Sequence, residues 1–355
     1  MTLIASFKWR QTYFAFGDTL VTTPKKTYED TPIPTRDLPN ETEQLDGSGL
    51  WVAGLARKVF TIGPHIVFGW SGPMANFEKA LRYLYAAPLD KPLSLEDLKT
   101  ILNKAELPTD RASAWFVNAF ICDGGLAGFS HNMQKIAQEK DGVISVAGSG
   151  AQTFREILDL DSAAETDGLI VFKRTLATQA RLLLGQQRQG HHLDHAFGGA
   201  FEFIGSANHS FVNLDRVLIV FRDYWDVGEQ NDVRKDVDNV SRVGNTFSKI
   251  DAAYYMSHID DTLVVGRWFP GSHKMFAAPR PFDDQLPSLG ETSWCGVDQV
   301  LEVLTHYTGN RSSVFDRIPD EYDFEVIGEA TRVTLPMSLP VDLESALREH
   351  IGQEA

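Results

Sequence analysis

Runs of β-branched and aromatic residues mark the first residues as strands. Thr2 to Phe7 and Thr12 to Thr22 are rich in Val, Ile, Thr, Tyr and Phe, and Arg10-Gln11 between them predicts a tight turn, hence a hairpin at the N-terminus. Arg57 to Ile62 leads into a further strand, Ile66 to Trp70, and then Ser71-Gly72-Pro73. Pro73 is well placed to open a helix in which Met74, Phe77, Leu81, Leu84 and Tyr85 recur at helical spacing. Ser94-Leu95-Glu96-Asp97 begins a second helix in the manner of a capping box. Residues 113 to 121 and 126 to 130 predict a hairpin around Asp123-Gly124-Gly125, and Val143 to Ala147 a short strand. A helix is expected over roughly Leu169 to Gln189. The remainder is mixed: a charged stretch from Glu229 to Asp238, a strand at Thr262 to Trp268, a Pro-bearing link from Pro270 to Pro287, a helix near Val297 to Tyr307, and strands near Phe324 to Leu335.

Composition narrows the function classes. The 355 residues carry 33 Lys plus Arg against 48 Asp plus Glu, a formal charge of −15, which argues against binding a phosphate backbone, since that needs clustered cations. With 43% hydrophobic residues the chain can bury a sizeable core. Its 2 cysteines, Cys122 and Cys295, offer neither a disulfide framework nor a zinc site, and suit a reducing, cytoplasmic setting. No apolar run reaches membrane-spanning length, and the N-terminus lacks the apolar core of a signal peptide, so nucleic acid and membrane are not expected partners.

The candidate chemistry begins at the second residue. Thr at position 2 is small enough for Met1 to be removed, which leaves Thr2 with a free α-amine. A Thr hydroxyl is a poor nucleophile at its own pKa, but a neutral α-amine, with an ordinary pKa near 8, can take its proton directly or through one water. Asp18 closes the second strand, where a hairpin returns beside the first residue, and Gly72 follows Lys58 by fourteen residues. The segments MTLIASFKWRQTYFAFGDTLVT and ARKVFTIGPHIVFGWSG, with these spacings, resemble the start of proteasome β subunits and of their bacterial relative, the peptidase partner of an unfoldase ATPase. Gly148-Ser149-Gly150 resembles that family's GSG turn, which implies a passage from a strand into a long helix. Leu193-Asp194-His195-Ala196-Phe197-Gly198-Gly199 resembles its D-x-x-S-G-G, with Phe197 where Ser usually stands.

The resemblance implies an N-terminal-nucleophile hydrolase fold, a four-layer αββα sandwich of class α+β. It covers roughly residues 2 to 225 and implies a core over residues 1–227 with a loop insertion at 23–53, and residues 228–355 form a C-terminal extension without counterpart. It implies a threonine peptidase in which Thr2 attacks a peptide carbonyl, Lys58 depresses the pKa of the amine, Asp18 holds Lys58, Gly72 offers its N–H to the oxyanion, and Ser149 and Asp194 surround the amine. No cofactor or metal is implied. The implied partners are copies of the chain in a ring or related multimer, unfolded polypeptide as substrate, and an ATPase.

Other readings attach to the same residues. Gly148-Ser149-Gly150 as a nucleotide loop lacks the third Gly of GxGxxG, since position 153 is Thr. His191, His192 and His195 have helix-like spacing but no HExxH glutamate, and lie at an expected helix end where cations are favoured. Trp70 and Met74 flank Gly72, either shaping a substrate pocket or packing in the core. The polar insertion, with Pro24, Pro32, Pro34 and Pro39, is expected to be a surface loop or lid. Phe197 lacks the hydroxyl that helps orient the amine, which favours, as the alternative, a catalytically weak or inactive structural subunit.

Overall fold

The computed structural model describes residues 2–9, 12–25, 33–35, 49–139, 142–158, 178–186, 196–226, 240–243, 246–269, 272–282, 299–308, 311–317, 324–327 and 330–333. Chain packing divides into two compact units: Met1–Leu214 with Asp260–Leu263 and Ala277–Pro287, and Asp215–Ile259 with Val264–Phe276 and Ser288–Ala355.

In the first unit the N-terminal hairpin forms as expected, from β1 (Ile4–Trp9) and β2 (Thr12–Asp18), in a register that pairs Ile4 with Gly17 and Phe7 with Phe14. β3 (Leu20–Thr23) pairs with β4 (Trp51–Leu55) at the base of the insertion. An antiparallel sheet of four strands follows: β5 (Val59–Thr61), β6 (Ile66–Ser71), β7 (Ala114–Phe120) and β8 (Leu126–His131). β9 (Gln134–Glu139), β10 (Gly142–Ala147), β11 (Phe201–Ala207) and β12 (Ser210–Asn213) join the hairpin in a sheet of order β12-β11-β2-β1-β10-β9.

Period-two burial decides how these sheets pack. Ile4, Tyr13, Ala15 and Ile204 of the six-stranded sheet meet Val59, Val67 and Phe116 of the four-stranded one. The intervening residues Phe7 and Phe16 turn to the other face, where both rings meet Phe154 of α3 (Ala151–Leu158), at 5.7 and 5.2 Å. On the four-stranded sheet, Phe60, Phe68 and Trp70 pack with Phe77, Leu81 and Leu84 of α1 (Met74–Ala86) and Leu98 of α2 (Leu95–Ala105). Both helices start where the sequence predicts. Pro73 precedes α1, and the Ser94 hydroxyl accepts the Asp97 N–H at 3.1 Å to cap α2.

The second unit is a seven-stranded sheet. β13 (Val217–Asp226) pairs antiparallel with β15 (Thr246–Ile259) and parallel with β18 (Gln299–Thr308). β16 (Thr262–Phe269), β17 (Ser272–Ala278) and β19 (Arg311–Arg317) complete the order β17-β16-β15-β13-β18-β19, and β14 (Val240–Val243) pairs with β15. β20 (Phe324–Ile327) and β21 (Ala330–Val333) form a separate two-stranded pair. Val217 through Phe221 are buried without interruption, so this stretch of β13 is covered on both faces.

The structure overturns some of these expectations. The four-layer αββα sandwich is not the class of this protein, because antiparallel sheet predominates over helix among the described residues. Among the described residues helix amounts to α1, α2, the eight-residue α3 and residues 178–186. The helix expected near Val297 to Tyr307 is β18. Val297, Leu301, Leu304 and Tyr307 fit helical spacing, but the burial of Leu301 and Val303 has the period of a strand, and a short apolar run satisfies both patterns until a partner strand selects one. Within the insertion, residues 33–35 are buried, and Ile33 joins Leu20, Val52 and Ala196 in a small apolar cluster. Arg10-Gln11, Glu229 to Asp238 and most of the insertion lie outside the described residues. No helix among the described residues is long and apolar enough to cross a membrane.

Candidate active site

The β1–β2 register carries Asp18 back beside the residues preceding β1, and the Asp18 N–H donates to the Leu3 carbonyl at 3.0 Å. The Asp18 carboxylate is fully buried and accepts four hydrogen bonds. Its Oδ1 receives the Thr2 hydroxyl at 2.5 Å, the Leu3 N–H at 2.8 Å and Lys58 Nζ at 2.9 Å, and its Oδ2 receives the Gly198 N–H at 2.8 Å. A buried carboxylate is tolerated only when its oxygens are satisfied in this way.

Lys58 reaches the same point from the segment before β5. Its ammonium also donates to the Leu20 carbonyl at 2.5 Å, and its side chain is only 3% exposed. Burial pushes the Lys58 pKa below the ordinary lysine value, and the adjacent Asp18 carboxylate opposes that fall. The strand that Lys58 leads into is fixed in turn: the Trp70 N–H donates to the Lys58 carbonyl at 2.9 Å, and the Trp70 indole N–H to the Arg57 carbonyl at 3.3 Å. Trp70 is therefore a core residue, packed on Phe77 at 5.3 Å between ring centres.

On the other side of Thr2 stands the turn before α3. The Thr2 carbonyl accepts the Gly150 N–H at 3.1 Å and the Ser149 hydroxyl at 3.5 Å. Gly148 has φ of +96°, and a Cβ there would lie 2.0 Å from the Thr2 carbonyl oxygen, so no other residue fits. Phe197 is buried and lays its ring on Gly150.

The structure therefore joins Thr2, Asp18 and Lys58 directly and brings Ser149 to the Thr2 backbone. Gly72 lies just past the end of β6, next to Pro73, and among the described residues no hydrogen bond connects it to the trio. Asp194 lies outside the described residues, as do His191, His192 and His195. No group of three or more His, Cys, Asp or Glu residues suited to a metal occurs among the described residues.

Two contributions escaped the sequence reading. One is Gly198, whose N–H holds Asp18 Oδ2 and whose carbonyl accepts the Thr19 and Leu20 N–H groups at 3.1 and 2.9 Å. The other is a buried ion pair next to Lys58. The Arg57 guanidinium pairs with both oxygens of Glu202, and donates to Asn213 Oδ1 at 3.0 Å and the Asp261 carbonyl at 2.8 Å. A signal for it existed: Glu202 is the one charged residue in Phe201-Glu202-Phe203-Ile204. No protein-family model matches the chain, and no curated protein does.

Proposed function

We propose that this chain is a threonine-type peptidase of the proteasome-like kind, with Thr2 as its N-terminal nucleophile once Met1 is removed. The observation that carries the reading is the convergence of the Thr2 hydroxyl and the Lys58 ammonium on one buried oxygen of Asp18, from three separate parts of the chain. A surface role explains none of these groups, because all three are at most 3% exposed.

The Thr2 Oγ forms a bond to the peptide carbonyl carbon while its proton passes to the α-amine. The tetrahedral intermediate breaks its C–N bond, the α-ammonium returns the proton to the leaving amine, and an ester to Thr2 remains. Water then adds to the ester with the α-amine again as base, and the carboxylic acid departs. Lys58 keeps the amine neutral by like-charge repulsion, and Asp18 keeps Lys58 charged and in place. Assembly into a ring or related multimer, unfolded polypeptide as substrate, an ATPase partner and a cytoplasmic setting belong to the same proposal.

A second reading, a catalytically weak structural subunit, is favoured by Phe197, which stands where a hydroxyl is expected and serves as packing. Intact mass before and after incubation with a peptide epoxyketone separates the two, since the cyclic adduct needs both the Thr hydroxyl and a free α-amine. A starting mass lacking Met1 and a single adduct that Thr2→Ala abolishes are expected. Protein lacking Met1 that forms no adduct would overturn the peptidase reading.

A further inference from the structure

Among the described residues of the inserted segment, Thr35 carries a polar side chain toward the site. Thr35 is 2% exposed, and its hydroxyl donates to Gln186 Oε1 at 2.9 Å. Gln186, 1% exposed and at the end of the helix over residues 178–186, lays its amide against Gly198. Gly198 has φ of +137°, and a Cβ there would lie 2.2 Å from Gln186 Nε2. Gly198 is the residue whose N–H holds Asp18 and whose carbonyl holds Leu20, and the Leu20 carbonyl is the second acceptor of Lys58. A buried chain of contacts thus runs from the insertion to both charged members of the trio, by hydrogen bonds except where the Gln186 amide packs on Gly198. Gln186 Nε2 has no hydrogen-bond partner among the described residues. A buried amide half left unpaired costs free energy, which a purely structural position would avoid with Leu or Met. Either orientation of the amide leaves the packing on Gly198 and the bond to Thr35 in place, because a Thr hydroxyl donates or accepts.

We infer that Thr35 and Gln186 are positioning residues that clamp the Gly198 peptide and thereby set Asp18 and Lys58 against Thr2, so that the insertion is a working part of the site. The inference rests on the proposed peptidase reading for its catalytic consequence, though not for the clamp itself. Misplacing reacting groups by about 1 Å costs up to roughly a hundredfold in rate. Loss of one clamp bond is expected to cost about tenfold.

The test uses the full chain with Thr2 exposed, and the variants Thr35→Val, Thr35→Ser and Gln186→Leu. Two quantities are read: hydrogen exchange at the Gly198 amide, and the rate of epoxyketone inactivation as a function of pH. Thr35→Val and Gln186→Leu are expected to speed exchange at Gly198 about tenfold, slow inactivation by a similar factor, and move the midpoint of its pH profile. Thr35→Ser is expected to stay within about twofold of the parent. A residue that served packing alone would lower the melting temperature while leaving exchange at Gly198 and the pH midpoint unmoved, and that result would overturn the inference. If the parent lacking Met1 forms no adduct, the peptidase reading fails, and exchange at Gly198 still decides whether the clamp exists.

Discussion

Asp18→Asn is the perturbation that loads most of the site's physics onto one atom. The carboxylate accepts four donors, two of them on the buried Thr2 and Lys58 side chains. Asn offers one acceptor oxygen, and its amide nitrogen must face either the Gly198 N–H or the cluster at Oδ1, donor against donor. The larger loss is electrostatic, because Lys58 becomes a buried ammonium without a counter-charge, and breaking a buried pair from one side costs about 3–5 kcal/mol. That penalty has a ceiling, since Lys58 can lose its proton instead. Neutralising a lysine of ordinary pKa at pH 7 costs about 5 kcal/mol, at roughly 1.4 kcal/mol per pH unit.

The ceiling fixes a pH dependence. The folded Lys58 pKa lies below the unfolded value of 10.5, so between the two the unfolded chain binds more protons and stability rises with pH. The Asp18→Asn variant lacks the carboxylate that held the folded value up, which extends this window to lower pH. The deficit of Asp18→Asn relative to the parent should therefore be about 3–5 kcal/mol at pH 7 and shrink by up to about 2.7 kcal/mol at pH 9. Urea unfolding of both proteins at the two pH values reads this directly. A deficit below about 1 kcal/mol at pH 7, or one that stays constant to pH 9, refutes the claim that Lys58 depends on Asp18 for its charge.

Other outcomes follow from the same contacts. Lys58→Met should slow epoxyketone inactivation about a hundredfold, as loss of an electrostatic group at a reacting centre does, and a change under threefold would remove Lys58 from the mechanism. Gly148→Ala puts a methyl 2.0 Å from the Thr2 carbonyl and should cost at least about 2 kcal/mol in chemical unfolding; near-parent stability would contradict the turn geometry. Glu202→Gln leaves the buried Arg57 uncompensated and should cost about 3–5 kcal/mol, whereas the apolar double variant Arg57→Met with Glu202→Leu should recover most of it; equal losses in both would argue against a charge origin. Burial pushes the Tyr13 phenol up to about 12, so stability present below pH 10 is lost as pH rises toward 12, and Tyr13→Phe should lose less over that range. An ultraviolet titration in which Tyr13 ionises together with exposed tyrosines would sink that assignment.

Much of the local structure was legible in sequence because its causes are local. The N-terminal hairpin, the start of α1 after Pro73, the cap at Ser94 and the β7–β8 hairpin each follow from residues within a few positions of one another. Spacing and resemblance single out Thr2, Asp18 and Lys58 in the sequence, and the fold sets the Thr2 hydroxyl and the Lys58 ammonium on one Asp18 oxygen. Gly198, Gln186 and Thr35 were not found as partners of the site, since a backbone N–H and a buried amide leave no signature in a sequence until a distant strand is set beside them.

The same division holds for the fold. β-branched and aromatic runs together with turn residues determined which stretches of the N-terminal part become strands, because those preferences are local to each run. What they did not determine was the fate of ambiguous runs. Residues 299–308 satisfy helix and strand alike, and the parallel pairing with Val217–Trp225 made them a strand. The balance of sheet over helix rests on such long-range pairings, and so does the burial of Ile33 and Thr35 inside an insertion that reads as surface. A hydrogen-bonded ladder or a buried contact is a property of two segments, and only tertiary structure brings the second one.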